Sequence, residues 1–205
     1  MTLIPDAEIQ AIVQRVLRRT LGTQPAVQPV IESASHAGES RTSPLPAGNV
    51  TLDKVVAIGA VHGGFGLKEN LIAFLNELSY DVVDCGTGST EAVDYPDIAL
   101  EVARLVSQGK AWRGIVVDGA GIGSCMVANK LPGVRAALCY DHATALNSRE
   151  HNDANVLTLG AGLIGIHLAR QIVKIWLETE FGGGRHAQRV AKITAIEKLF
   201  LKSGN

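Results

Sequence analysis

From residue 53 onward, short apolar runs rich in β-branched residues alternate with longer stretches whose apolar residues recur at helical spacing. The longer stretches include amphipathic segments at 67–78 and 98–106. The short runs predict five strands, at Lys54–Gly59, Asp81–Cys85, Gly114–Asp118, Val134–Cys139 and Asn155–Leu159. This alternation predicts a three-layer, doubly wound α/β fold of the Rossmann-like kind, a five-stranded parallel sheet with helices on both faces.

Residues 1–21 have a different pattern, that of one short amphipathic helix. Acidic residues lie in its first turn, basic residues lie in its last turn, and Gly22 ends it. Its apolar positions are Ile9, Ile12, Val13, Val16, Leu17 and Leu21. An isolated helix of this length is marginal in water, so the apolar stripe predicts a docking partner.

Residues 22–50 contain four of the seven prolines and many Ser, Ala and Gly residues. All nine aromatic residues come later in the chain. Such a composition cannot build a packed core. We therefore predict three parts: a docking helix at 1–21, a flexible linker at 22–50 and an α/β domain at 51–205.

Composition narrows the range of functions. A net charge of -1 gives no electrostatic reason to expect a nucleic-acid partner, and no apolar run approaches the roughly 20 residues that span a bilayer. The three cysteines, Cys85, Cys125 and Cys139, lack metal-ligand spacing. We therefore expect a cytoplasmic protein without a membrane anchor or metal site, whose thiols are small core residues.

The strand predicted at Gly114–Asp118 leads into a turn with glycine at 119, 121 and 123, and a helix start is predicted at 124–130. Ligands of doubly wound folds bind at the carboxyl ends of strands, where 59–62 also lies. Backbone N–H groups of such a turn could bind a phosphate or a developing enolate oxygen. The alternative is that Asp118 simply caps the turn.

A dinucleotide site is a weaker alternative. The segment "GAVHGGFG" follows the first strand, and Asp84 ends the second, where an acid could bind a ribose. Neither glycine-rich turn spells GxGxxG, however.

Five segments together resemble the family of ribose-5-phosphate isomerase B and galactose-6-phosphate isomerase. They cover nearly all of residues 54–195 and are "VVAIGAVHGGFGLKENLIAFLNELSYDVVDCGT", "STEAVDYPDIA", "GAGIGSCMVANKLPGVRAAL", "SREHNDANVLTLG" and "EFGGGRHAQRV". The resemblance implies interconversion of aldose and ketose phosphates through a cis-enediolate, without a cofactor. It also implies a phosphorylated sugar as substrate, and a homodimer or higher oligomer with sites at the subunit interface.

The resemblance also implies roles for individual residues. His151 would open the sugar ring, and the turn after Asp118 would stabilise the enediolate oxygen through its backbone. The phosphate would be bound by His62, Arg185 and Arg189. The remaining substrate contacts would be Tyr95, Asn152, Gly119, Gly121 and Gly123.

Four positions depart from the family's usual pattern. The family usually has aspartate at Val61, threonine or serine at Ala120 and often arginine at Gly162. It commonly has cysteine as the base where this chain has Asp118, and some members use a carboxylate from the position of Ser124. Three interpretations of Asp118 stay open: a general base, a cap of the turn, or a ligand contact in a silent site.

The N-terminal helix and linker resemble the encapsulation peptides that direct enzymes into bacterial microcompartments by binding shell proteins. The alternatives are a helix that packs on its own domain, or one with a membrane-surface or oligomerisation role. Two functions are therefore considered: an encapsulated sugar-phosphate isomerase, and a catalytically silent relative that binds a phosphosugar or has a structural role. Another reaction on a small polar substrate is the remaining alternative.

Overall fold

The computed structural model describes residues 54–200. The docking helix predicted at 1–21 and the linker predicted at 22–50 lie outside the described residues. Within 54–200, no helix combines the length and the apolar character that crossing a membrane requires.

The described chain contains five strands and six α-helices, in the predicted alternating order. The strands are β1 Val55–Ala60, β2 Asp81–Asp84, β3 Arg113–Asp118, β4 Ala136–Leu138 and β5 Val156–Gly160. The helices are α1 Phe65–Glu77, α2 Tyr95–Ser107, α3 Ile122–Ala128, α4 His142–Glu150, α5 Ile166–Glu178 and α6 Gly184–Phe200. A 3₁₀ turn, His62–Gly64, joins β1 to α1.

All five strands are parallel, in the order β2-β1-β3-β5-β4. Ala60 pairs with Val117 across β1 and β3, and Asp118 pairs with Gly160 across β3 and β5. The loops after these three strands therefore leave the same edge of the sheet side by side. The predicted fold class is confirmed.

Side chains of each central strand alternate between two apolar cores because successive residues of a strand point to opposite faces. In β1, Val56 and Ile58 face the core formed with α1, α4 and α5, whereas Val55 and Ala57 face the core formed with α2 and α3. Helices thus cover both faces of the sheet, as predicted.

Most strand boundaries differ from the predictions by one residue, and three elements differ more. The helix after the glycine turn begins at Ile122, two residues earlier than predicted, and extends only to Ala128. Strand β4 has three residues. Helix α6 was not predicted as an element, and none of its residues is buried in the single chain.

Arg113 links the sheet to α5 from within the protein. Its guanidinium donates to the carbonyl oxygens of Trp176 (2.7 Å) and Leu177 (2.8 Å), which would otherwise end α5 without donors. It also lies 3.9 Å from the centroid of the Trp112 ring. Burial and the nearby Arg149 lower the pKa of Arg113 to about 9, so the charge is retained at neutral pH.

We predict that Arg113→Met lowers the free energy of unfolding by about 3 kcal/mol, because buried carbonyl groups lose their donors. Arg104→Met is the matched control, since Arg104 is exposed and pairs with Glu101 one turn away. That control should cost less than about 0.5 kcal/mol. Urea denaturation followed by far-ultraviolet circular dichroism measures both values, and equal losses would contradict the role of Arg113.

Candidate functional site

A cleft of about 460 Å³ opens at the carboxyl ends of β1 and β3. The end of β1, the turn after β3 and the start of α2 all contribute to it. Its lining residues are Val61, His62, Val93, Asp94, Tyr95, Asp118, Gly119, Ala120 and Gly123. The sequence prediction that this edge of the sheet carries the site agrees with the position of the cleft.

The carboxylate of Asp118 lies at the base of the turn and is 6% exposed. Its Oδ1 accepts hydrogen bonds from the backbone N–H groups of Ala120 (2.8 Å) and Gly121. Its Oδ2 accepts from the N–H (3.2 Å) and the hydroxyl of Ser124. Asp118 therefore both lines the cleft and caps the turn. Capping the turn is thus compatible with a second role in the cleft, as a base or as a ligand contact.

Gly121 has a structural place in the turn. Its φ is 76°, which favours glycine, and a Cβ there would lie 3.0 Å from the carbonyl carbon of Leu159. It does not line the cleft within the described chain, in contrast to the predicted contact. The hydroxyl of Tyr140 donates to the carbonyl oxygen of Ala120 and fixes the turn from the other side.

The structure gives a packing reason for glycine at position 162. Its N–H donates to the carbonyl oxygen of Gly119 (3.0 Å), and a Cβ at 162 would lie 3.0 Å from that same oxygen. A side chain there would push on the turn that holds Asp118. A larger residue at 162 would thus require the carbonyl group of Gly119 to shift by a few tenths of an ångström.

Two predicted substrate contacts line the cleft opposite the turn. His62 begins the 3₁₀ turn after β1 and is exposed, whereas Val61 beside it is buried and apolar. The ring of Tyr95 lies against Gly123, since a Cβ on this glycine would be 2.6 Å from it. Gly123 therefore allows Tyr95 to close over the turn.

Four other predicted site residues do not line this cleft within the described chain: His151, Asn152, Arg185 and Arg189. His151 follows the end of α4, and the two arginines lie in the exposed first turns of α6. Asn152 lines a separate hollow of about 320 Å³. These residues lie outside the cleft because they follow α4 and β5 in the chain, whereas the cleft is formed at the ends of β1 and β3.

His151 has its own ordered surroundings. Its Nδ1 lies 2.7 Å from Nδ2 of Asn147, and its ring stacks on that of His186 with centroids 4.1 Å apart. Arg185 donates from Nε to Nε2 of His186 at 3.4 Å. Burial, followed by repulsion from His151, Arg185 and Arg189, lowers the pKa of His186.

The alternative of a dinucleotide site is not supported by the position of Asp84. Its carboxylate pairs at 2.5 Å with Nζ of Lys68, a fully buried lysine of α1. Lys68 also donates to the carbonyl oxygen of Thr87 (3.0 Å). Asp84 therefore neutralises a buried charge and positions the loop after β2.

The three cysteines are at least half-buried, as expected of small core residues. Burial raises the pKa of Cys85 to about 12 and that of Cys139 to about 11. It also raises the pKa of Cys125. Over residues 54–200, no three His, Cys, Asp or Glu side chains come together in a way that could hold a metal ion.

The sequence did not indicate several residues of the cleft and of the surroundings of His151. Tyr140 lies just past the end of β4, so the rule that ligands bind at strand ends could have indicated it. Asp94 lies at the start of α2. Asn147 lies four residues before His151 on one helix, a spacing that brings side chains together. The stacking of His186 on His151 joins distant segments and has no local signal.

Comparison with known proteins places the described domain among sugar-phosphate isomerases. The profile of the Ribose/Galactose Isomerase family matches residues 56–193. Ribose-5-phosphate isomerase B of Escherichia coli is 46% identical over 145 residues, covering 71% of this chain and 97% of that protein. D-erythrulose-4-phosphate isomerase of Pectobacterium atrosepticum is 42% identical over 143 residues, covering 69% and 94%.

A solved structure shows the same similarity in three dimensions. Ribose-5-phosphate isomerase B of Clostridium thermocellum superposes with a TM-score of 0.70 and 51% sequence identity, covering 71% of this chain and 99% of that one. The matched family region begins at residue 56, so the first 55 residues lie before it.

Proposed function

The chain belongs to the ribose/galactose isomerase family, and on this basis we propose that it interconverts an aldose and a ketose phosphate of the ribose-5-phosphate/ribulose-5-phosphate type. That it is a sugar-phosphate isomerase follows from its close relatives. The proposal adds the substrate type and the route, a cis-enediolate formed by proton transfer. The observation that carries it is the carboxylate of Asp118, fixed by the turn at the wall of the cleft.

In this proposal Asp118 is the general base. It removes the carbon-bound proton next to the substrate carbonyl, and the released electron pair forms the enediolate double bond. Four donors already bind its two oxygens, so one donor must be released before a proton can be taken up. The hydroxyl of Ser124 is the suitable one, because it can rotate and then accept a hydrogen bond, whereas the backbone amides are fixed.

The enediolate oxygen would then be stabilised by the amides of Gly119 and Gly123, which line the cleft and are not donors to Asp118. His62 supplies the cleft with a side chain for the phosphate or a sugar hydroxyl. Tyr95 covers the same opening. Arg185 and Arg189 bind the phosphate, and Asn152 contacts the sugar beside His151, in a site completed by a second subunit.

We expect the protein to incorporate deuterium at carbon when it is incubated in deuterated water with pentose and hexose phosphates, because the enediolate exchanges its proton with solvent. Asp118→Asn should lower this exchange at least about a hundredfold, the usual contribution of a general base. Mass spectrometry of the recovered sugar phosphates measures the incorporation.

Ser124→Ala is the matched control, since it removes one donor to Asp118 and keeps the carboxylate. It should retain exchange within about tenfold of the original protein. If Asp118→Asn retained full exchange, Asp118 would only cap the turn and would not be the base. No exchange by the unaltered protein with any sugar phosphate would favour the silent relative.

We also propose a homodimer or higher homo-oligomer whose site is shared between subunits. The supporting observation is that the cleft at Asp118 and the group around His151 are separate within one chain. Large apolar side chains are also exposed, Ile122 and Met126 in α3 and Leu163 and Ile166 between β5 and the first turn of α5. Exposed apolar side chains that adjoin one another are typical of a surface that another protein covers.

Subunit complementation tests the shared site. Asp118→Asn and His151→Gln chains carrying different tags are co-expressed, and hetero-oligomers are purified through both tags. In a two-fold dimer one site would be intact and the other would carry both changes, so about half of the original activity should return. A mixed oligomer as inactive as its parents, or a monomer in analytical ultracentrifugation, would contradict the shared site.

We further propose that residues 1–21 bind a shell protein and place the enzyme inside a bacterial microcompartment in the cytoplasm. The support is the amphipathic pattern followed by a proline-rich linker, both outside the matched family region. Shell binding would use the apolar stripe of the helix.

Co-sedimentation with assembled shells measures this association. A chain lacking residues 1–21, and one carrying Ile12→Glu with Val16→Glu, should both stay in the supernatant because the apolar stripe is gone. Gln10→Glu with Gln14→Glu adds the same charge to the opposite face and should still sediment. Equal sedimentation of all forms would refute the targeting role.

A further inference from the structure

Two side chains fix the ring of His151, one at an edge of the ring and one against a face. Asn147 lies one helical turn earlier on α4, and its Nδ2 is 2.7 Å from Nδ1 of His151. The ring of His186 lies parallel to that of His151, with an interplanar angle of 5°. Both contacts leave Nε2 free of a close hydrogen bond, its nearest charged neighbour being the Glu150 carboxylate at 3.8 Å.

We propose that Asn147 is a positioning residue for His151. By pairing with Nδ1, Asn147 keeps Nε2 of His151 available for the ring oxygen of a cyclic sugar phosphate. The inference rests on the proposed isomerase function, in which His151 opens the sugar ring. It adds a residue that neither the sequence pattern nor the family resemblance assigns.

An asparagine amide suits this place because it carries both a donor and an acceptor. In the structure Nδ2 donates to an unprotonated Nδ1, which puts the proton of the neutral ring on Nε2. A half-turn of the amide presents Oδ1 instead, which accepts from a protonated Nδ1. Asn147 can therefore hold the ring in one orientation in both protonation states.

Ring opening starts from the imidazolium, the state in which Oδ1 of Asn147 accepts from Nδ1. As the bond between C1 and the ring oxygen breaks, its electron pair stays on that oxygen, which takes a proton from Nε2 of the imidazolium. Nε2 then takes the proton of the former anomeric hydroxyl as the C1 carbonyl forms, so His151 regains its proton. Nδ1 remains protonated throughout and donates to Oδ1 of Asn147.

The charged groups around His151 come from two elements. Glu150 lies beside it at the end of α4, and His186 stacks on it from the start of α6, with Arg185 and Arg189 close to His186. Because these neighbours carry charges of both signs, the hydrogen bond between Asn147 and Nδ1 determines which ring nitrogen of His151 carries the transferable proton.

Two aldose phosphates separate ring opening from isomerisation. Ribose 5-phosphate is cyclic and needs the ring opened. In erythrose 4-phosphate the oxygen on C4 is esterified, so no hydroxyl is available to close a five-membered ring. A relative of this chain is named for isomerising the corresponding ketose, D-erythrulose 4-phosphate.

We expect Asn147→Leu to lower kcat/KM for ribose 5-phosphate by about tenfold or more, with little change for erythrose 4-phosphate, because misorientation of His151 affects only ring opening. Asn147→Asp keeps an acceptor for protonated Nδ1 and should restore most of the pentose activity. Asn76→Leu, at an exposed asparagine of α1, is the matched control and should not alter either activity.

A spectroscopic measurement keeps the inference separate from the proposed function. In ¹⁵N-labelled protein at alkaline pH, the neutral His151 should carry its proton on Nε2, and Asn147→Asp should move that proton to Nδ1. Identical spectra for the original protein and both variants would overturn the inference even in an active enzyme, as would equal losses on both sugars for Asn147→Leu. Inactivity of the original protein towards both sugars would instead count against the proposed function.

Discussion

The four hydrogen bonds to the carboxylate of Asp118 hold together the turn on which the cleft is built. The turn joins β3 to α3, and its amide groups would otherwise face the cleft unpaired or bind a ligand. By binding these amides, Asp118 supplies an internal negative group where a thiol would leave them free. The proposed base and the shape of the turn therefore depend on the same side chain.

Other departures from the family pattern agree with this arrangement. Gly162 and Gly160 lie against the backbone of Gly119 and Ala120, with distances from a built Cβ of 3.0 Å and 2.8 Å to the nearest turn atoms. Neither position can take a side chain unless the turn moves. Gly162 therefore fits closely against the turn that the carboxylate of Asp118 closes, and the proposed phosphate contacts come from other residues, His62, Arg185 and Arg189.

The sequence predicted the sheet well because its strands are buried β-branched runs, and burial on both faces leaves a clear signal in β1, β3 and β5. It did not reveal α6, whose side chains are not buried in the single chain and therefore follow no strong apolar period. The strand-end rule located Asp118 and His62 in one cleft. It could not tell that the carboxylate turns toward its own amides, because this depends on the left-handed backbone of Gly121.

The residues proposed to act on the substrate fall into two separate groups within one chain. Asp118, His62 and Tyr95 belong to the ends of β1 and β3 and the start of α2, where the proposed proton transfer between carbons would take place. His151 lies at the end of α4 and the arginines lie in α6, where the proposed ring opening and phosphate binding would take place. Substrates that differ in their need for ring opening therefore make unequal use of the two groups. In the proposed mechanism, a change among the residues around His151, such as Asn147, would alter the preferred sugar without altering the base.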